Sequence, residues 1–333
     1  MRKVLIVVVA ALLAVALVAG CGGSSSSSST ASTTPVAAVS APSMSAQQVM
    51  LKASKATADL KSASFTADVA VKMTGSGSSS NSQTQALTQS PINVHAEGSA
   101  AKGEGAKSAV DATVTLSAGG QNMAAGIKVS GGKTWVELQD VWYAVPASKT
   151  KSAQKAAGAS PEKTLGDLGI DPKAWSENAT VAVEQLDGTT VYHVTAKADS
   201  KQVMADLMKA LNDPKLLKAA GSQGATLKQL KTQNEAQLKS LQDSLVSATA
   251  QYWVDADTFY VRKGSIDADL SFKGAVASQG LQSATLATTY TLGDFDQPVT
   301  VTPPASAKPF KDLMKGLFNY VPGASAGTGL SGL

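Results

Sequence analysis

The sequence predicts an α+β fold: a curled antiparallel sheet, forming a half-barrel of about 10–11 strands, with helices covering its concave side. Many segments alternate apolar and polar residues, as in Phe65, Ala67, Val69, Val71 and Met73, and this alternation is typical of half-buried antiparallel strands. Gly-Gly and Asp-Gly pairs separate several of these segments, which indicates tight hairpins. Between the strand groups, apolar residues at helical spacing predict the helices.

The first segment of the chain lies outside this fold. Two basic residues precede an uncharged apolar run, residues 4–18, which is shorter than the roughly 20 residues of a membrane-spanning helix. A charged start, an apolar centre and small residues at the exit describe a signal peptide, residues 1–20. The tetrapeptide Val-Ala-Gly-Cys at 18–21 resembles the lipobox of bacterial lipoproteins, which implies that Cys21 carries diacylglycerol and becomes the mature N-terminus.

Cys21 is the only cysteine in the chain. An ordinary secretory cleavage site beside an incidental thiol is the alternative interpretation. A lone thiol in an exported protein has no disulfide partner in its own chain, which favours lipidation. Two acyl chains hold a protein on a membrane where one is marginal. We therefore expect a cell-membrane protein, lipid-anchored and facing outside, with residues 21–43 as the lipidated cysteine and a flexible Ser/Gly/Thr linker.

One domain is predicted over residues 44–322, followed by a disordered tail at 323–333. Ser45 is placed to cap a helix that ends near Leu60. Strands are predicted at 64–73, 92–100, 107–116, 124–129, 133–138, 141–145, 179–186, 190–198, 250–256, 259–263, 265–272, 283–292 and 299–301. Further helical segments are predicted at 160–175, 200–247 and 310–318, the second with a leucine stripe that includes Leu245.

The side chains that carry most enzyme chemistry are scarce. His95 and His193 are the only histidines, so no zinc site of usual composition can be built, and no Gly-rich phosphate-binding loop follows a predicted strand and opens a helix. Paired aspartates at 255/257 and 294/296 are interpreted as turn residues at strand ends. With 29 basic and 25 acidic residues, a formal net charge of +4 gives no electrostatic reason to expect nucleic acid. We expect no enzyme activity and no cofactor.

Several motifs, taken in order, resemble the LppX/LprG-like mycobacterial lipoproteins. They are Trp135-Val136-Glu137, Val141-Trp142-Tyr143-Ala144-Val145-Pro146, Leu165-Gly166-Asp167-Leu168-Gly169-Ile170, the strand Gly188 to Val194, Tyr252-Trp253-Val254-Asp255, Val261-Arg262-Lys263 and Phe295-Asp296-Gln297-Pro298-Val299 to Pro303. The resemblance implies a LolA/LolB-like fold, a half-barrel with helices over its mouth that binds acyl chains of lipids or lipoglycans. The helical insert at 200–247 and the loop at 75–90 are longer than the resemblance implies.

The acyl chain would need an apolar lining. Candidate lining residues are Phe65, Val69, Val110, Val114, Val181, Val183 and Val194. Burial gains about 0.8 kcal/mol per CH₂, so a chain of about 16 carbons offers roughly 12 kcal/mol. For each valine taken singly, ordinary core packing is the alternative.

Two functions remain open from the sequence. The first is a monomeric, membrane-anchored lipoprotein that binds lipid or lipoglycan acyl chains in an apolar cavity and carries or presents them in the envelope. The second is an envelope interaction or sensor lipoprotein with a filled core and no lipid cargo.

Overall fold

The computed structural model describes residues 44–75, 88–103, 108–147, 178–199, 244–278 and 280–313, together with the single residues 202 and 205. Its strands are β1 (Ser62–Gly75), β2 (Ile92–Ala101), β3 (Ala109–Ala118), β4 (Gln121–Ser130), β5 (Lys133–Leu138), β6 (Val141–Val145), β7 (Thr180–Leu186), β8 (Thr189–Lys197), β9 (Leu245–Asp255), β10 (Val261–Ser271), β11 (Leu281–Gly293) and β12 (Lys308–Pro309). Two helices are bounded as α1 (Ala46–Asp59) and α2 (Gly274–Ala277).

All twelve strands belong to one sheet, in the order β12-β6-β5-β4-β3-β2-β1-β11-β10-β9-β8-β7. Every neighbouring pair is antiparallel except β12 and β6, which are parallel. A sheet of so many twisted strands curls rather than staying flat. The predicted large antiparallel sheet is therefore confirmed, with twelve strands in place of the expected ten or eleven.

Tight turns hold the hairpins in register. Gly131 and Gly132 have φ angles of 57° and 74°, and Asp187 and Gly188 have φ angles of 50° and 78°. Positive φ at both central residues is the geometry of the turns that match the twist of a two-strand hairpin, and glycine adopts it without a steric cost. The predicted hairpin turns at these two places are confirmed.

The register separates the sheet into an apolar face and a polar face. In antiparallel strands, directly opposite residues point to the same side. Val69 lies opposite Val94, Val94 opposite Leu116, and Leu116 opposite Met123, so one row of the apolar face runs through four strands. The residues between them, such as Asp68, form the polar face.

Helix α1 covers part of the apolar face. Its N-terminus is fixed by a capping box: the Gln48 N–H donates to Ser45 Oγ (3.3 Å), and the Ser45 N–H donates to Gln48 Oε1 (2.9 Å). Val49 and Ala53 lie one helical turn apart and are fully buried against Val194 and Val254 of the sheet. The predicted helix and its Ser45 cap are confirmed.

A second apolar cluster forms away from α1, around the last residues of β1 and the start of β2 and β11. Its buried members are Val71, Met73, Ile92, Leu281 and Ala284. Helix α2 is a single turn between β10 and β11. No helix among the described residues has the length and apolar character that a bilayer span requires.

Some predicted elements differ from the structure, and others concern residues that the structure does not describe. The two strands expected at 259–263 and 265–272 are one strand, β10, and residues 299–301 form no strand. Residues 245–247 begin β9 and do not end a helix, so Leu245 belongs to the sheet. The predicted helical segments at 160–175 and 203–243 lie outside the described residues apart from residue 205, as does the tail.

Candidate functional site

The register places all seven candidate lining residues on the apolar face. In strands β1 to β3, Val110 lies opposite Ala100, and Val114 lies opposite Ala96, which is itself opposite Ala67. In strands β7 to β9, Val181 pairs with Val194, which pairs with Tyr252. The remaining three, Phe65, Val69 and Val183, occupy the same alternating positions of their strands.

These residues fall in two different environments. We call the apolar face of β7–β10 under α1 the covered half; there Val194 and Val254 are 1% and 0% exposed. We call the apolar face of β3 and β4 the open half; there Val114, Ile127 and Met123 are 39%, 36% and 50% exposed. Exposed apolar patches of this kind mark surfaces that meet another apolar partner.

Three hydroxyl groups lie on the apolar face, two on β11 between these halves and one on β9 in the covered half. Thr288 on β11 is opposite Val69 of β1 and Ile266 of β10, and only 5% of it is exposed. Tyr290 follows on the same face of β11, and Tyr252 lies across Gly264 from it. Burial raises the pKa of both tyrosine hydroxyls, so both are neutral donors at ordinary pH.

Sequence reasoning missed these three residues. The signal was present in β11, where Ala284, Leu286 and Leu292 mark the apolar register and Thr288 and Tyr290 occupy two positions of the same register. A hydroxyl in an apolar alternation is the observation that would have found them.

Ion pairs and hydrogen bonds link the strands on the polar face. His95 Nδ1 lies 2.7 Å from Asp68 Oδ1, and this hydrogen bond raises the pKa of His95. His193 lies 2.8 Å from Glu184 and stacks on the Trp253 indole with ring centroids 4.4 Å apart. His95 and His193 therefore each form a hydrogen bond with a carboxylate on a neighbouring strand.

The aspartates interpreted as turn residues hold turns in the structure. Burial of Asp255 raises its pKa, but hydrogen bonds from the Thr258 N–H and the Arg262 guanidinium outweigh this, and the net pKa is lowered. Arg262 Nη2 lies 2.6 Å from Asp255 Oδ2. Asp296 accepts from the Lys61 N–H, which lowers its pKa, and from the Tyr260 hydroxyl (2.8 Å each). In the described part of the chain, no three His, Cys, Asp or Glu side chains are grouped to hold a metal ion.

Two clefts are measured among the described residues. The first has a volume of about 370 Å³ and lies beside Thr134 and Trp135. The second has a volume of about 550 Å³ and lies under residues 294–300, lined mainly by polar-face side chains such as Glu97 and Asp111. Neither of these two clefts is lined by any of the seven candidate residues.

These features define a protein built on one large antiparallel sheet, whose apolar face is partly exposed among the described residues. The chain belongs to DUF6612, a family of unknown function, whose pattern matches residues 45–308. No curated protein matches the sequence.

Two solved structures are similar over most of the chain. LprF from Mycobacterium bovis has 15% identity and a TM-score of 0.37, covering 80% of this chain and 100% of LprF. A DUF1329 family protein from Desulfovibrio piger has 8% identity and a TM-score of 0.22, covering 77% of this chain and 95% of that one. TM-scores below 0.5 do not establish a shared fold.

Proposed function

We propose that this protein is a lipoprotein of the cell envelope that binds acyl chains of a lipid or lipoglycan on its apolar face and carries or presents them. The observation that carries the proposal is the open half. Val114, Ile127 and Met123 belong to the same face as the seven candidate residues, and more than a third of each of these three residues is exposed.

The physical argument concerns the cost of leaving such a face in water. Each square ångström of apolar surface removed from water gains about 25 cal/mol, and an acyl chain gains about 0.8 kcal/mol for every CH₂ it buries. The apolar-face positions of β3 and β4 around Val114, Ile127 and Met123 carry no charged group that an acyl chain would have to desolvate. A hydrocarbon chain is therefore the occupant whose chemistry matches the open half.

The anchor is the second part of the proposal. Lipidated Cys21, the linker 21–43 and a binding domain over 44–322 would hold the sheet on the outer side of the cell membrane. A linker of about 21 flexible residues has a root-mean-square reach of roughly 25 Å. The apolar face would then remain within contact distance of membrane lipids.

An envelope interaction or sensor lipoprotein is the second candidate. It is favoured by the positions of the two measured clefts, because neither opens on the seven candidate residues. In that case the open half would contact a protein partner, and no lipid would accompany the purified chain.

Lipid co-purification separates the two candidates. The full chain carrying Cys21→Ser has no acyl group of its own to contaminate an organic extract. We expect mass spectrometry of that extract to give a lipid near one molecule per chain, whereas a lipid-free chain would favour the interaction protein.

The anchor has its own test. In Cys21→Ser we expect the signal peptide to stay uncleaved and the acyl modification to be absent. Intact mass separates the two chains, whereas fractionation alone does not, because the uncleaved apolar run 4–18 itself holds the variant on the membrane. An unaltered chain without acyl mass at Cys21, or unchanged processing of the variant, would contradict a lipid anchor at Cys21 and leave the acyl-binding face to be judged separately.

A further inference from the structure

A helical turn follows β12 at the edge of the sheet. Residues 310–313 form this turn, in which Leu313 is buried and Lys311 is exposed. Phe310 lies three residues before Leu313, on the same side of the turn, and is partly buried. The turn therefore presents an apolar side to the protein and a charged side to water.

The sequence after this turn keeps the same apolar side. Met314, Leu317 and Val321 stand four, seven and eleven positions after Phe310, whereas Lys315 falls between them. This spacing lines one face of a helix with apolar side chains. A helix of this length is stable in a protein mainly because its apolar face packs on a second apolar surface. Residues 310–321 therefore require such a surface.

The register of the sheet leads from the turn to the open half. Lys308 of β12 is the partner of Tyr143 on β6. Tyr143 lies opposite Val136, which lies opposite Ile127 on β4. Adjacent strands are about 4.8 Å apart, so this row runs roughly 14 Å from β12 to Ile127. A helix over residues 310–321 would be about 18 Å long, which is enough to cross from the sheet edge to β4.

The two faces of the sheet differ along this path. The apolar-face positions of β4, β5 and β6 carry no charged side chain. On the opposite face the same strands carry Lys128 and Glu137. A helix that packed its apolar side there would remove these charges from water, which is unfavourable. The apolar face, continuous from β6 to the open half, is therefore the surface that matches residues 310–321.

We propose that residues 310–321 dock on the open half as a cover that a bound acyl chain displaces. The cover and the acyl chain bury the same side chains, those of Val114, Met123 and Ile127, so only one of them occupies the face at a time. This inference rests on the proposed function, because it describes how the same acyl site is closed and opened.

Crosslinking between two introduced cysteines tests the docking. Cys21 is the only cysteine, so the full chain carrying Cys21→Ser has no other thiol. Leu317→Cys is combined either with Ala125→Cys or with the matched control Ala124→Cys. Both alanines are exposed on β4, and as neighbours in a strand they point to opposite faces, Ala125 to the apolar one. A bismaleimide that spans about 10 Å, the spacing of packed layers, joins the thiols, and peptide mapping by mass spectrometry gives the yield.

The expected result is a difference between the two faces that an acyl chain removes. Docking raises the effective concentration of one thiol at the other, so the Ala125 pair should crosslink roughly tenfold faster than the Ala124 pair. Oleate should lower the rate of the Ala125 pair several-fold. Butyrate, which has the same carboxylate on a short chain, should leave that rate unchanged. Moving the first cysteine off the apolar side, with Lys315→Cys in place of Leu317→Cys, should also slow the reaction.

The outcomes separate this inference from the proposed function. Equal rates for the Ala125 and Ala124 pairs, or a crosslinked dimer in place of the intramolecular product, would overturn the cover, and lipid in the extract of the purified chain would still support acyl binding. A fast Ala125 pair that oleate does not slow, in a chain that retains lipid, would overturn the displacement alone. The same result in a chain that retains no lipid would overturn both the displacement and the proposed function.

Discussion

The covered half and the open half of the apolar face are built from the same kinds of side chain but have different surroundings. Val254 and Val194 are sealed by α1, whereas Val114 and Ile127 remain accessible. The capping box that starts α1 at Ser45 places Val49 and Ala53 over one group of strands only. Alternation in a strand thus determines which side a residue faces, and a separate element determines whether that side is sealed.

The largest expected effect is the difference between two valine truncations. Val254→Ala should cost about 2–3 kcal/mol, because it removes two buried carbon groups and leaves a cavity under α1. Val114→Ala should cost below about 0.5 kcal/mol, because its side chain is already partly in water. Urea denaturation of both variants measures the difference. Similar losses would show that the two halves are equally sealed and would remove the basis of the comparison.

The turn between β9 and β10 supports the covered half from its end. Phe259 and Val261 in this region pack on the α1 cluster, and Arg262 holds the buried Asp255 carboxylate. Arg262→Met should cost about 1–2 kcal/mol, since two backbone N–H groups still hold the carboxylate and Arg262 is itself partly exposed. Lys263→Met, one residue along and on the polar face, is the control. Equal losses from the two variants would show that the ion pair contributes nothing specific.

Acid should loosen the covered half before the open half. The folded pKa of Asp255 is lowered, so its contribution is present above its ordinary pKa of about 3.9 and is lost as pH falls through the lower folded value. Hydrogen exchange at pH 3 and pH 7 should show faster opening of the β9–β10 turn in acid. In Arg262→Met this acid sensitivity should shrink, and acid opening that begins in β3–β4 would contradict the prediction.

The smallest expected effect lies on the polar face of β1 and β2. Asp68 raises the pKa of His95, so the stabilisation is complete below the ordinary pKa of about 6.5 and is lost as pH rises through the raised value. Because both side chains are largely exposed, the contribution should stay below about 0.5 kcal/mol. His95→Gln should reduce the change of the denaturation midpoint with pH between pH 6 and pH 8. A slope unchanged by the substitution would assign the pH dependence to another group.

Much of the sheet could be predicted because its signals are local. Strict alternation identified β1 and β2 within two residues, and Asp187-Gly188 identified the hairpin of β7 and β8. The shared face of all seven candidate residues follows from the same alternation. These features depend only on neighbouring residues in the chain, which a single sequence contains.

The errors come from contacts between distant residues. Gly264 interrupts the apolar alternation of β10, so the sequence predicts two strands there. In the structure β10 continues through Gly264, and the Tyr290 ring occupies the space that a side chain would fill. The two-residue strand β12 pairs with β6 more than 160 residues earlier in the chain, and a proline at a sheet edge gives no strand signal.

The most direct test of the account compares substitutions at adjacent positions of β3 that point to opposite faces. Val114 lies on the open half, and Thr113, also exposed, lies on the polar face. Lipid retained by the full chain is measured for Val114→Gln and Thr113→Gln, each in the Cys21→Ser background. We expect Val114→Gln to retain several-fold less lipid than Thr113→Gln, which should match the unsubstituted chain. Equal retention by the two variants would contradict acyl binding on the open half.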